Sequence, residues 1–114
     1  MSSKNRYKLE TNSDLETINS FKILITNIKA LKDKTWGCPW QKIQSHKSLI
    51  PFLYEESNEL LDAIYEKNVD NICEELGDLL LQVMLHSEIG YEEKKFTLND
   101  IIKNLNKNII NSHP

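Results

Sequence analysis

Residues 54–80 read YEESNELLDAIYEKNVDNICEELGDLL, and how this stretch folds decides the architecture. From Glu55 to Asp78 it carries nine carboxylates (Glu55, Glu56, Glu59, Asp62, Glu66, Asp70, Glu74, Glu75 and Asp78) against one lysine, Lys67, in a chain of formal net charge −3. A solvated acidic helix face normally sets Lys or Arg four residues on from each acid, because such pairs offset the repulsion. Here Glu55 meets Glu59 at that spacing and Glu74 meets Asp78, while Glu56, Glu59 and Glu75 meet Leu60, Ala63 and Leu79. Glu56 also intrudes on a helical apolar stripe of Leu49, Leu53, Leu60 and Ile64. Residues 76–87, LGDLLLQVMLHS, are apolar nearly all round, with Asp78 the sole formal charge. A helix apolar on every side is a buried one, and a buried carboxylate is costly unless a cation or donor answers it.

Glu56 and Glu59 stand at i, i+3 on one helix face, and Glu75 and Asp78 repeat that spacing on the next helix. The turn Asn68-Val69-Asp70, with Asp70 as cap, makes the two helices an antiparallel hairpin and brings the pairs face to face. Four carboxylates around one point, without thiolate or imidazole, describe a site for a hard cation: Mg²⁺, with Mn²⁺ as substitute, and not Zn²⁺.

Upstream, residues 1 to about 12 are polar and read as a loosely attached tail, so the single domain is placed at 13–114. Ser13-Asp14-Leu15-Glu16 has capping-box spacing and opens a helix to about Lys32, with Leu15, Ile18, Phe21, Ile25, Ile28 and Leu31 on its apolar side. Gly37 and Pro39 then break the pattern. Trp36 and Trp40 flank them, either plugging the end of a bundle or stacking on a ligand. The second helix is expected from about His46 to Lys67, capped by Ser45, with Pro51 tolerable only near its first turn. His46 is left unassigned. Downstream, the third helix is expected to reach about Glu88, with Gly77 permitting a close helix contact or ligand approach and His86 a satisfied core histidine. Gly90 to Lys95 read as a polar connection. Thr97-Leu98-Asn99-Asp100 caps a last helix, whose apolar positions Ile101, Ile102, Leu105, Ile109 and Ile110 leave Lys103 and Lys107 on another side.

The chain is therefore expected to be an all-α bundle of about four helices. A third helix apolar on all sides wants more cover than one chain of 114 residues supplies, which implies a homo-oligomer, most simply a twofold dimer. A pI near 5.6 with no basic stripe argues against a nucleic-acid polymer as partner. No apolar run approaches the ~20 residues of a membrane span, the start MSSKNRYKLE has no apolar signal core, and the protein is expected in the cytoplasm. Cys38 and Cys73 are too few for a disulfide scaffold and are read as reduced, with Cys73 packed.

GCPWQKIQSHKSLIPFLYEESNELLDAI followed by EELGDLLLQVMLHSEI resembles the MazG-like nucleoside triphosphate pyrophosphohydrolases of the all-α NTP pyrophosphatase superfamily, from about Leu31 onward. The signature is EExxE followed by ExxD, together with CPW and the apolar third helix. The resemblance implies Mg²⁺-dependent cleavage of a nucleoside triphosphate between its α- and β-phosphates, in a homodimer or tetramer. It implies Glu56, Glu59, Glu75 and Asp78 as metal ligands, Glu55 as orienter or base for the attacking water, and Trp40 and Lys42 as substrate contacts. Two departures stand out. Gln41 follows CPW where the family commonly has Asp, and Asn108, Asn111 and Ser112 stand where it carries Lys and two Arg. Lys103 and Lys107 are the basic residues left to meet substrate phosphates there. Two other classes share parts of this pattern. A ferritin-like di-metal redox bundle needs Glu-x-x-His pairs, and the second pair here ends in Asp78. A non-catalytic helical dimerisation module accounts for the apolar helix but not for Asp78 within it, and a catalytically weak or inactive metal-binding dimerisation or regulatory module is the alternative to the enzyme.

Overall fold

The computed structural model describes residues 11–112, and within them the chain is four helices and one short 3₁₀ turn, as the helical periodicity predicts. The first helix, α1, spans Asn12–Lys32; the 3₁₀ turn spans Gln41–Ile43; α2 spans Ile50–Glu66, α3 Val69–Glu92 and α4 Leu98–Ser112. Most of the expected tail lies outside the described residues. Its last two positions, Thr11 and Asn12, are the cap and the first residue of α1, because Thr11 and not Ser13 is the cap: Thr11 Oγ1 accepts from Asp14 N at 3.1 Å. Thr11 and Asp14 have the same spacing as the expected box, half a turn earlier.

The loop after α1 is tied down along its length. The Asp33 carboxylate accepts from Thr35 N at 2.9 Å and Trp36 N at 2.7 Å, and these two bonds hold its pKa below the ordinary carboxylate value. A Cβ on Gly37 would collide with the carbonyl oxygens of Asp33 and Leu31, so glycine is required for the chain to fold back there. Lys32, 3% exposed, reaches from the end of α1 to the carbonyls of Gln41 at 3.1 Å and Gln44 at 3.4 Å, with Glu92 of α3 at 3.8 Å.

Ser45 and Ser48 cap one another: Ser48 N donates to Ser45 Oγ at 3.0 Å and Ser45 N to Ser48 Oγ at 2.8 Å. The regular helix nevertheless begins at Ile50, four residues later than expected. Pro51 has no N–H to give the Lys47 carbonyl, which takes Ile50 N instead at 3.2 Å. The hairpin turn also differs in detail. Lys67 adopts the left-handed conformation (φ 57°) and ends α2, with Asn68 N returning to Ala63 O at 3.3 Å. Asn68 and not Asp70 caps α3, its Oδ1 accepting from Asn71 N at 3.1 Å. Asp70 lies inside the first turn, where its charge favours the positive helix end.

The α3 helix runs a turn beyond Glu88, because Gly90 is helical and not part of the connection. The Phe96 ring lies against Gly90 where a Cβ would be, and Lys95 N donates to Gly90 O at 2.9 Å. The Thr97 box at the start of α4 forms as expected, with Thr97 N to Asp100 Oδ2 at 2.9 Å and Asp100 N to Thr97 Oγ1 at 3.1 Å.

Packing is centred on α3. The α2 helix lies along it, with Leu49, Leu85 and Ile89 as the buried centre and Phe52 and Leu81 against them. Leu53 and Ile64 of the expected stripe instead fall on exposed flanks. The first helix covers only the C-terminal half of α3, through Lys29 to Glu88 at 3.7 Å, Lys29 over the Tyr91 ring at 4.9 Å, and Lys32 to Glu92. The fourth helix touches α3 alone. One chain does not cover α3 on all sides, as its apolar surface led us to expect: Leu76, Leu80 and Val83 are 51%, 42% and 42% exposed. Cys73, expected to be packed, is exposed in the same uncovered region, and Gly77 has no neighbour within 4 Å of a Cβ position. No helix among the described residues is long and apolar enough to cross a membrane.

Candidate metal and nucleotide site

The antiparallel α2–α3 hairpin brings Glu56 and Glu59 to Glu75 and Asp78. One carboxylate oxygen from each lies within 4.8 Å of all the others. Glu56, Glu75 and Asp78 are half-buried and Glu59 is exposed. Glu56 Oε2 and Glu75 Oε2 are buried with no hydrogen-bond partner in the protein, and none of the ion pairs among the described residues involves the four. Burial, then the charges of Glu59, Asp78 and Glu55, push the Glu56 carboxyl up from its ordinary value. Burial, then a hydrogen bond with Glu59 and the charges of Glu59, Asp78 and Glu56, push Glu75 up to about 7. Like charges held this close, with buried acceptor oxygens left over, fit a hard divalent cation.

The other expected site residues are placed less tightly. Glu55 is exposed and sits beside the cluster, not in it. Trp36 is 89% exposed and plugs nothing, whereas Trp40, 44% exposed, sets its ring edge-on to Phe52 (centroids 5.2 Å, planes at 88°). Phe52 lies one helical turn before Glu56, so Trp40 stands beside the site. Lys42 Nζ turns back onto its own loop, donating to Lys34 O at 3.2 Å. Lys103 and Lys107 are exposed on α4, which touches neither α2 nor the 3₁₀ turn, so the fold of one chain does not bring them to the carboxylates.

The model of the MazG nucleotide pyrophosphohydrolase domain matches residues 44–114, which includes both acidic pairs. The chain belongs to the MazG nucleotide pyrophosphohydrolase family. It is 46% identical over 94 residues to a nucleoside triphosphate pyrophosphohydrolase/pyrophosphatase MazG of Thermotoga maritima, covering 82% of this chain and 36% of the relative. It is 37% identical over 97 residues to a nucleoside triphosphate pyrophosphohydrolase of Escherichia coli, covering 85% and 37%, and 50% identical over 78 residues to the uncharacterized protein YabN of Bacillus subtilis, covering 68% and 16%. The chain thus spans well under half the length of these relatives.

Three features around these carboxylates escape sequence reasoning. His46, left unassigned, and His86, expected to be satisfied, form a pair with Nδ1 to Nδ1 at 2.8 Å and ring planes parallel within 1°. His46 Nε2 continues to Glu93 Oε1 at 3.4 Å, whereas His86 Nε2 is buried without a partner. Burial, then the neighbouring His46, lower the His86 pKa. Gln82, 6% exposed, leaves its Oε1 unpartnered. Lys32 as the anchor of the loop is the third. The antiparallel register was the available signal: with Glu56 opposite Asp78, it places Leu49 near Leu85 and His46 near His86.

Proposed function

We propose that this protein is a Mg²⁺-dependent nucleotide pyrophosphohydrolase that cleaves a nucleoside triphosphate between its α- and β-phosphates, giving the monophosphate and pyrophosphate. The observation that carries this reading is the four-carboxylate cluster with two buried, unpartnered oxygens, in a chain of the MazG family. Glu56, Glu59, Glu75 and Asp78 hold Mg²⁺, or Mn²⁺ in its place. When bound, the cation neutralises phosphoryl charge and lowers the pKa of coordinated water. The protein's own part is binding and orientation. Glu75, raised to about 7, would have to be deprotonated to hold the cation, so metal affinity would rise with pH. Glu55, exposed next to Glu56, orients the attacking water and takes its proton. Trp40 offers a ring face to the nucleoside, and Lys42, swinging from Lys34 O, reaches a phosphate.

The outward sector of Leu76, Leu80 and Val83 supports assembly into a homodimer or a tetramer, and Lys103 and Lys107 reach the cluster of a partner copy. The activity is tested with ribo- and deoxynucleoside triphosphates and Mg²⁺ in ¹⁸O-labelled water, following pyrophosphate against phosphate. Pyrophosphate release with label in one product supports the reading, whereas nucleoside diphosphate with free phosphate contradicts it. Glu56→Gln and Asp78→Asn abolish turnover while the metal-free fold survives or gains stability, since like charges are removed.

A further inference from the structure

Buried polar side-chain atoms in folded proteins nearly always have a hydrogen-bond partner, and an exception calls for a reason. Among the described residues the exceptions are Gln41 Oε1, Glu56 Oε2, Glu75 Oε2, Gln82 Oε1 and His86 Nε2. They are not scattered. Two belong to the carboxylate cluster. Gln82 and His86 follow Asp78 on α3 at four and eight residues, so they continue the same side of the helix away from the cluster. Gln41 begins the 3₁₀ turn directly after Trp40.

The register of the hairpin puts Gln82 at a defined level. Leu49 packs with Leu85, and Glu56 faces Asp78. Phe52 lies between Leu49 and Glu56, and Gln82 lies between Asp78 and Leu85, so the two stand at the same height, about 6 Å along the helix from the carboxylates. Trp40 meets Phe52 with the ring planes nearly perpendicular at that height. Next along α3, His86 is held by His46, and His46 by Glu93. His86 Nε2 is left buried without a partner. One turn from the metal ligands toward the start of α2, the register thus sets the Trp40–Phe52 pair and the unpartnered amide of Gln82 at one level.

We infer that Gln82 recognises the nucleoside of the substrate, its buried Oε1 accepting from a base N–H or amino group or from a sugar hydroxyl while the phosphates lie at the carboxylate cluster. This rests on the nucleotide-hydrolysing reading and adds to it a residue that contacts the part of the substrate that does not react. An ordered water on the same oxygen is the competing occupant, and substrate kinetics separate the two.

The test compares the full chain with Gln82→Met, which keeps the volume and removes the amide. It uses ATP, GTP, CTP and UTP, with inorganic tripolyphosphate as the substrate that lacks a nucleoside. The variant loses roughly tenfold in kcat/KM on nucleoside triphosphates, unequally among the bases and mainly through KM, as one hydrogen bond implies. Tripolyphosphate cleavage is unchanged, and the melting temperature is equal or higher because no partner is lost. An equal loss on tripolyphosphate makes Gln82 a packing residue and overturns the inference, as does unchanged kinetics on all four nucleotides. If the parent cleaves no nucleoside triphosphate, the proposed activity fails separately. Calorimetric binding of α,β-methylene ATP with Mg²⁺ then decides: tighter binding by the parent than by Gln82→Met supports the inference, and equal binding ends it.

Discussion

Replacing Lys32 by Met removes the ammonium that holds the loop between α1 and α2. The side chain is buried, and its Nζ serves the carbonyls of Gln41 (3.1 Å) and Gln44 (3.4 Å), with Glu92 at 3.8 Å. Methionine fills the same volume, so packing is kept and the polar loss is isolated. A hydrogen bond from a charged group contributes about 1.5–3 kcal/mol, and a buried acceptor left bare costs about 1–3 kcal/mol. With some relief from water reaching the loop carbonyls, a net loss of about 3 kcal/mol is expected, a large share of the roughly 5–15 kcal/mol of a small domain. At an m-value of about 1.5 kcal/mol/M, the urea midpoint falls by about 2 M. The ion pair with Glu92, a third exposed on the acid side, supplies little of this, so Glu92→Gln costs less than about 1 kcal/mol. Because the loop carries Trp40, KM for a nucleoside triphosphate rises in Lys32→Met even at temperatures where the variant is folded. The assay is equilibrium urea unfolding of parent, Lys32→Met and Glu92→Gln, alongside Michaelis kinetics. Equal midpoints for parent and Lys32→Met would refute the anchoring role, and equal losses in both variants would assign the effect to the ion pair.

Three further outcomes follow from the same structure. Glu75 is raised to about 7 in the folded chain from an ordinary 4.5, so the metal-free fold binds the extra proton and its stability from this group is complete below pH 4.5 and lost as pH rises through 7. Metal-free melting curves therefore decline between pH 5 and 8, less so in Glu75→Gln, and Mg²⁺ restores them; a flat profile in the parent contradicts the crowded cluster. Leu80→Lys, on the outward sector of α3, lowers the sedimentation mass without loss of helix signal, whereas Leu81, packed against the core, unfolds when made polar; an unchanged assembly in Leu80→Lys excludes that sector as the interface. Asn108→Lys with Asn111→Arg raises kcat/KM about tenfold at low salt, since a charge-assisted phosphate contact is worth roughly 1.5–3 kcal/mol, and the gain shrinks with ionic strength; no gain at low salt means that those charges are not needed.

Much of the fold was open to reading because helices are local objects. The four helices, the Thr97–Asp100 box and the position of Pro51 in the first turn of α2 follow from spacings within one or two turns. The four carboxylates were legible for the same reason, since i, i+3 pairs on two helices joined by a tight turn have one way to meet. Caps were read less well. Thr11 competes with Ser13, and Asn68 with Asp70, and each pair offers nearly the same local chemistry. The winner is the residue that lets the helix start about half a turn earlier, as Lys67 shows by taking the left-handed conformation that frees Asn68 to cap.

The sequence by itself determined the class of the protein, all helical with an acidic hairpin, because periodicity and charge spacing act over a few residues. Tertiary structure alone decided what those residues meet. His46 and His86 are forty positions apart in the chain, and Lys32 and Gln44 twelve, so no local pattern joins them; they pair because the α2–α3 register and the fold-back at Gly37 bring them together. The same holds for α3. Its composition demanded burial on every side, yet which sector is covered depends on where α1 and α4 lie, and they leave Leu76, Leu80 and Val83 facing outward.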